Sequence, residues 1–360
     1  MKKVLTVLGT RPEIIKLSPL IPLLSQHFVH VLVHSGQHYS YEMDAVFFHE
    51  LNLPAVQHSL AVGSASHGEQ TARMLSRLES ILLEERPDLV LVQGDTNTTL
   101  SGGLAAAKLG IPVAHLEAGC RSFNRRMPEE LNRVMVDHLS EVLLVPDALA
   151  QDNLCAEGIP ESRITLTGSS AIDAVQRNLH FADKSPILQK MELEAGSYLA
   201  LTLHRAENTE PDRLPGIVQA LNELAEEKTI VFAMHPRTAA TIQRLDLMLS
   251  PQIRSCEPLG YLDTLKLVGH ACALLTDSGG LQEEAAALGT PALILRNETE
   301  WRYLVDASVH LLVGNSYTSI RDGVRAALQP DTLDRLRATP APLWPGASER
   351  ACEGVMKYLS

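Results

Sequence analysis

The chain has 360 residues, 45% of them hydrophobic and 21% charged, a balance that excludes a disordered or fibrous protein and gives more chain than one core usually serves. With 31 Lys and Arg against 43 Asp and Glu the formal net charge is −12, and without basic runs this argues against a nucleic-acid binder, whose affinity comes chiefly from phosphate neutralisation. The five cysteines lie far apart with no C-x-x-C pair, which excludes a zinc ribbon or a disulfide framework.

In chain order, the first predicted element is a strand over Lys3 to Leu8. Its apolar run ends at Gly9-Thr10-Arg11-Pro12, too soon for a secretory h-region, and no run elsewhere approaches the roughly 18 apolar residues of a membrane span. A cytoplasmic protein with no membrane partner is expected. Further strands are predicted at Val29 to His34, Leu89 to Gln93, Val113 to Leu116 and Val142 to Val145. Helical periodicity fills Glu69 to Glu85 and Thr98 to Leu109 between them. After a less regular stretch, Asp173 to Ser197, the alternation restarts. Strands are then predicted at Tyr198 to Leu203, Thr229 to Met234, Ala273 to Thr276 and Ala292 to Leu295, with helices at Asp212 to Glu227, Leu262 to Gly269 and Gly280 to Leu288. Such alternation implies an α/β chain of two doubly wound, Rossmann-like domains, with ligands beyond the carboxyl ends of the strands and function in the cleft between the domains.

Polar residues cluster where those strands end. Asp95 and Glu117 close the third and fourth strands; as neighbours, those strands would bring both carboxylates into one acid/base site. A solvated loop Asp or a helix cap is the bland alternative for Asp95. His204 ends the first strand of the second half, where it would face the carboxylates across the cleft. Arg11 and Lys16 follow the first strand, and Arg11 either reaches a diphosphate or, with Glu13, belongs to the surface of a capped helix. In HLEAGCRSFNRRMPEELNR, one of Glu129 and Glu130 reads as structural without the pattern saying which, and Arg133 lies within reach of either. Cys120 reads as a packing residue rather than a nucleophile. The strongest single element is LLTDSGGLQEEA: Ser278, Gly279 and Gly280 open a helix whose free N–H groups suit a phosphate, with an N-cap role for Asp277 or Ser278 as the structural alternative. No G-x-G-x-x-G, P-loop or H-E-x-x-H motif is present, so neither NAD, ATP nor a metal is expected as cofactor.

Taken together, GTRPEIIKLSPL, SGQHY, SHGEQTARML, the QGDTNTTL to PEELNR segment, LTLHRAEN, HPRT, LGYLDTL, LLTDSGGLQEEA and GASER resemble the non-hydrolysing UDP-N-acetylglucosamine 2-epimerases, in order and through almost the whole chain. The resemblance implies a GT-B-type pair of Rossmann-like domains with a central cleft, spanning 1–170 (catalytic acids) and 171–345 (UDP binding), and a C-terminal helix over 346–360 returning to the first domain. It places catalytic acids and bases at Asp95, Glu117, Glu129 and His204. It places nucleotide contacts at Arg11, Lys16, Ser278, Gly279, Gly280 and Glu284. It implies a UDP-sugar substrate, no cofactor, a homodimer, and elimination and re-addition of UDP through a 2-acetamidoglucal. Some members of the group are activated by substrate at a second site, and Gln37, His38 and His235 match motif positions near it. At Asn297-Glu298-Thr299-Glu300-Trp301 the chain departs from the DTTERPE of many members. That string also resembles epimerases of UDP-2,3-diacetamido-2,3-dideoxy-glucuronic acid; a glycosyltransferase and a non-catalytic UDP-sugar sensor are the rival readings of the same fold.

Overall fold

In a computed structural model, residues 1–37 and 47–360 of the chain are described. The run KVLTVL forms strand β1 (Lys3–Leu8), buried at every position after Lys3, as expected of a central parallel strand covered on both faces. Around it assemble β2 (Val29–His34), β3 (His58–Ser59), β4 (Leu89–Gln93), β5 (Val113–Leu116), β6 (Val142–Val145) and β7 (Ile164–Leu166). Their order is β3-β2-β1-β4-β5-β6-β7, with every described pairing parallel. The helix His67–Glu85 shows why such a sheet is covered: Met74, Leu78 and Leu82, spaced four apart, bury one stripe against Val31, Val33 and Val90.

The second sheet contains β8 (Tyr198–Thr202), β9 (Thr229–Ala233), β10 (Ile253–Cys256), β11 (Ala273–Thr276), β12 (Ala292–Ile294) and β13 (Leu311–Leu312), in the order β10-β9-β8-β11-β12-β13. Its core joins Leu199, Leu201, Ile230, Phe232 and Leu275 to Leu214, Ile217 and Leu221 of the helix Leu214–Ala225. Both sheets therefore reverse their winding once, between β1 and β4 and between β8 and β11, and in doubly wound folds that reversal marks the ligand crevice.

The chain divides into two compact units, Met1–Arg177 with Trp344–Ser360, and Asn178–Leu343. The terminal helix Ala347–Leu359 is tied to the first unit by Asp173, which accepts the Gly346 and Ser348 amides at 2.8 and 2.7 Å, and by Arg350, whose Nε donates to the Thr167 carbonyl at 2.6 Å.

Every strand expected from the sequence is present, to within a residue at its end. The short strands β3, β7, β10 and β13 were not expected; two to four residues carry too little periodicity to read. The stretch Asp173 to Ser197, expected to be irregular, is instead largely helical, with helices at Ser170–Ala182 and Ile187–Lys190. Ile172, Val175 and Ala182 form the buried stripe of the first of these, and the capping role of Asp173 on a distant helix disguises its start.

Candidate active site

In the first unit, the turn after β1 is built around a close approach: a Cβ on Gly9 would lie 1.7 Å from Ser35 Oγ, so only glycine fits. Thr10 caps the helix Arg11–Leu17, and Glu13 turns back to accept the Gly9 and Thr10 amides, each at 2.8 Å. Its other oxygen accepts the Thr96 and Thr99 hydroxyls at 2.5 and 3.2 Å. One buried carboxyl thus ties the turn after β1 to the turn after β4, and burial raises its pKa against the hydrogen bonds that lower it.

Lys16, one turn further along this helix, is buried and donates to Glu117 Oε2 at 2.5 Å; Gln93 Nε2 donates to the same oxygen at 2.6 Å. Glu117 occupies the left-handed region at φ 71°, a conformation non-glycine residues adopt at a cost of about 1–3 kcal/mol and one that clusters at functional sites. The strands β4 and β5 are neighbours, with Gln93 opposite Leu116, so Asp95 and Glu117 leave adjacent strand ends. They are not left to repel each other: Asp95 is ion-paired with Arg133 while Glu117 is paired with Lys16. Thr96, not Asp95, caps the following helix, Asn97–Lys108.

The helix Pro128–Leu139 separates the two glutamates that the sequence left equivalent. Glu130 is buried, accepting the Ser122 and Phe123 amides at 2.9 Å and Arg133 Nη1 at 2.9 Å. Glu129 is part-exposed and makes no hydrogen bond or ion pair with a described residue. Of the four arginines in this stretch, Arg125 and Arg126 are exposed, while Arg121 and Arg133 are buried in ion pairs.

Beneath these loops lies a network that the sequence reading missed. His115, fully buried in β5, places Nδ1 2.7 Å from Asp137 and Nε2 2.7 Å from the Gly94 carbonyl. Asp137 also pairs with Arg121 at 2.7 Å and accepts the Gly119 amide at 3.1 Å, and Arg121 grips Glu157 through two contacts of 2.7 Å. Burial alone would raise the Asp137 carboxyl; the facing His115 and Arg121 outweigh it and hold the group below the ordinary carboxylate range. The network joins Gly94, next to Asp95, to His115 and Gly119, two residues to either side of Glu117. Its signals were a histidine inside an otherwise apolar strand and an aspartate on the buried face of a helix.

In the second unit the centre is Asp277, fully buried at the end of β11. It accepts the His204 amide at 3.1 and 3.0 Å, the Arg205 amide at 2.9 Å and Asn208 Nδ2 at 3.1 Å. Burial would raise its pKa, but His204 and these donors lower it on balance. It therefore faces backward into the turn after β8 and does not cap the helix. Ser278 takes the N-cap position of the helix Gly279–Ala287 without a side-chain cap hydrogen bond. A Cβ on Gly280 would meet nothing within 4 Å and one on Gly279 only ordinary contacts from 3.5 Å outward, to Arg205, Trp301 and Glu300. The fold itself demands neither glycine, in contrast to Gly9. Glu284 is buried further along the same helix, and Arg296 is held between Glu300 at 2.7 Å and Glu207 at 3.4 Å.

Of the remaining expected residues, Arg11 stacks its guanidinium 4.7 Å from the Phe47 ring centroid. Gln37 is buried, accepting the Thr98 amide and hydroxyl at 2.9 and 2.7 Å, and His235 caps its own helix by accepting the Arg237 amide at 3.1 Å. His38 lies outside the described residues. Cys120 is a buried free thiol. Among the described residues no group of three or more His, Cys, Asp or Glu side chains is disposed to hold a metal, and no helix is long and apolar enough to cross a membrane.

Two parallel Rossmann-order sheets, one with acids at its strand ends and the other with a glycine-opened helix, define a GT-B-type α/β enzyme. The sequence profile of UDP-N-acetylglucosamine 2-epimerase matches residues 24–357. A UDP-N-acetylglucosamine 2-epimerase of Methanocaldococcus jannaschii is 45% identical over 338 residues, 91% of this chain and 92% of its own. Its crystal structure in complex with UDP-GlcNAc and UDP superposes with a TM-score of 0.92 at 43% identity, covering 99% of this chain and all of that one. A UDP-2,3-diacetamido-2,3-dideoxy-D-glucuronate 2-epimerase of Pseudomonas aeruginosa is 42% identical over 332 residues, 91% of this chain and 92% of its own. The chain belongs to the UDP-N-acetylglucosamine 2-epimerase family and is an isomerase.

Proposed function

We propose that the protein reversibly interconverts UDP-GlcNAc and UDP-ManNAc. The observation that carries this is the set of acids at neighbouring strand ends: Asp95 and Glu117, each held by a cation, with Glu129, which pairs with no described residue, on the adjacent helix. Inversion at carbon 2 requires one group to take the carbon 2 proton as the bond from carbon 1 to UDP breaks, giving the 2-acetamidoglucal. A proton must then return to the opposite face as UDP adds back to carbon 1. Asp95, Glu117, Glu129 and His204 are the groups proposed to move these protons. Retention of UDP between the two halves falls to Arg11, Lys16, Arg133, Ser278, Gly279, Gly280 and Glu284. Residues 1–170 then supply the acids and 171–345 the nucleotide site. The reading extends to a cytoplasmic homodimer that supplies UDP-ManNAc for surface polysaccharide.

Proton NMR with UDP-GlcNAc in deuterium oxide tests the reaction. UDP-ManNAc deuterated at carbon 2 is the expected product; active, UDP-binding protein that yields neither exchange nor a new anomeric signal refutes this substrate. A second reading, epimerisation of UDP-2,3-diacetamido-2,3-dideoxy-glucuronic acid, is favoured by Trp301 in the departing segment and by the Pseudomonas aeruginosa relative. The same experiment with that nucleotide decides between them.

A further inference from the structure

His204 is held at two levels by one residue. Asp277 accepts its backbone amide, as above, and Asp277 Oδ1 also stands 3.1 Å from the ring nitrogen Nδ1. The side chain of Asp277 is fully buried while that of His204 is 38% exposed, so the pair has a sealed end and an open end. A carboxylate can only accept, so a hydrogen bond across this gap requires the proton on Nδ1 and leaves Nε2 with the free lone pair.

The carboxylate is itself immobilised. Asn208, which donates to it at 3.1 Å, also donates to the Leu295 carbonyl at 2.9 Å and accepts from Asn315 at 3.0 Å. The neighbouring ring, His235, has its centroid 6.0 Å away and the opposite arrangement: its Nδ1 accepts the Arg237 amide, which puts its proton on Nε2. Two adjacent imidazoles are thus fixed in opposite tautomers by the backbone and one carboxylate.

We propose that Asp277 is a positioning residue that locks His204 in the Nδ1–H tautomer and presents Nε2 as its reactive nitrogen. The reactive role rests on the reading of His204 given above; the tautomer does not. The bound proton is not consumed: Nε2 takes or gives a proton while Nδ1–H stays with Asp277, and the carboxylate stabilises the imidazolium whenever it forms.

The test uses full-length protein labelled with nitrogen-15 histidine and two-bond proton–nitrogen correlation spectra at alkaline pH, with His204→Gln assigning the signals. The expected wild-type spectrum shows a protonated Nδ1 and an unprotonated Nε2 for His204, and a protonated Nε2 for His235. A protonated Nε2 on His204 overturns the proposal without any further variant. Asp277→Asn can keep the backbone contacts through its carbonyl oxygen while turning an N–H toward the ring. It is expected to shift the His204 proton to Nε2 and lower kcat by about 100-fold or more, with KM changed less than about 3-fold. Folded Asp277→Asn with wild-type kcat overturns the positioning role. Full turnover in His204→Gln, with the Nδ1–H tautomer intact in the wild type, overturns the reactive role of the ring and leaves the tautomer assignment standing.

Discussion

The two units share one winding order but solve the problem of holding charge in opposite ways. At the β1/β4 reversal, charge is carried by side chains that arrive already paired: Lys16 with Glu117, Arg133 with Asp95 and Glu130, and His115 and Arg121 with Asp137. At the β8/β11 reversal, the buried carboxylate of Asp277 gathers backbone amides, and the helix end at Ser278 to Gly280 offers N–H groups beside the Arg205 guanidinium. Paired side chains are adjustable proton carriers whose loss leaves a partner exposed to its own desolvation cost. Backbone donors are fixed, and trimming one side chain near them removes little. The two reversals should therefore respond to mutation very differently.

The largest effects belong to the first unit. Asp95→Asn, Glu117→Gln and Glu129→Gln should each lower turnover by about 10²–10⁴-fold while UDP affinity stays within a few-fold, as measured by steady-state kinetics and calorimetry. Near-normal turnover in all three variants sinks the acid cluster.

Next in size is Asp137→Ala. It strands the buried Arg121 and His115 and should cost about 3–5 kcal/mol in urea unfolding. A loss under about 1 kcal/mol would mean that the network is not holding the turns that carry Asp95 and Glu117.

An intermediate effect is expected from His30, on β2, whose pKa burial pushes down to about 4 from 6.5. The folded state refuses a proton that the unfolded chain accepts, so stability falls as pH drops from 6.5 toward 4, by roughly 3 kcal/mol in all. His30→Gln should flatten that stretch of the stability–pH curve; an unchanged slope assigns the acid sensitivity elsewhere. The second unit carries a counterpart in His310, likewise lowered by burial, and Nδ1 there accepts the Ala292 amide at 3.0 Å.

Smaller still are the effects at the helix opening of the second unit. Ser278→Ala should weaken UDP binding by about 1 kcal/mol, the worth of one hydrogen bond. Gly280→Ala should raise stability by up to about 0.5 kcal/mol, since nothing stands within 4 Å of the added carbon, yet reduce UDP affinity. Equal affinity in both variants removes the ligand-side reason for the glycine pair and with it the contrast between the units.

Much of this was legible in the chain. KVLTVL and LVLVQ read as buried parallel strands because both faces of such strands are covered, and strand ends pointed to Asp95, Glu117, His204 and Ser278 because crevices open there. Four residues escaped. Glu13 looked like a surface acid of a capped helix, and its carboxyl bridges two turns more than eighty positions apart in sequence, as its contact with Thr96 shows. His115 and Asp137 gain meaning only from each other, and Asp277 read as a cap because its true partners lie on another strand's exit.

The sequence by itself determined the alternation of strands and helices, the parallel class of both sheets and the family to which the chain belongs, since periodicity, glycine punctuation and long motif strings are local properties. Tertiary structure decided which glutamate is structural, which cation serves which acid, and which carboxylate stands against the His204 ring. Those assignments depend on distances between residues far apart in the chain, and at a few ångströms in a buried site such distances set the electrostatics.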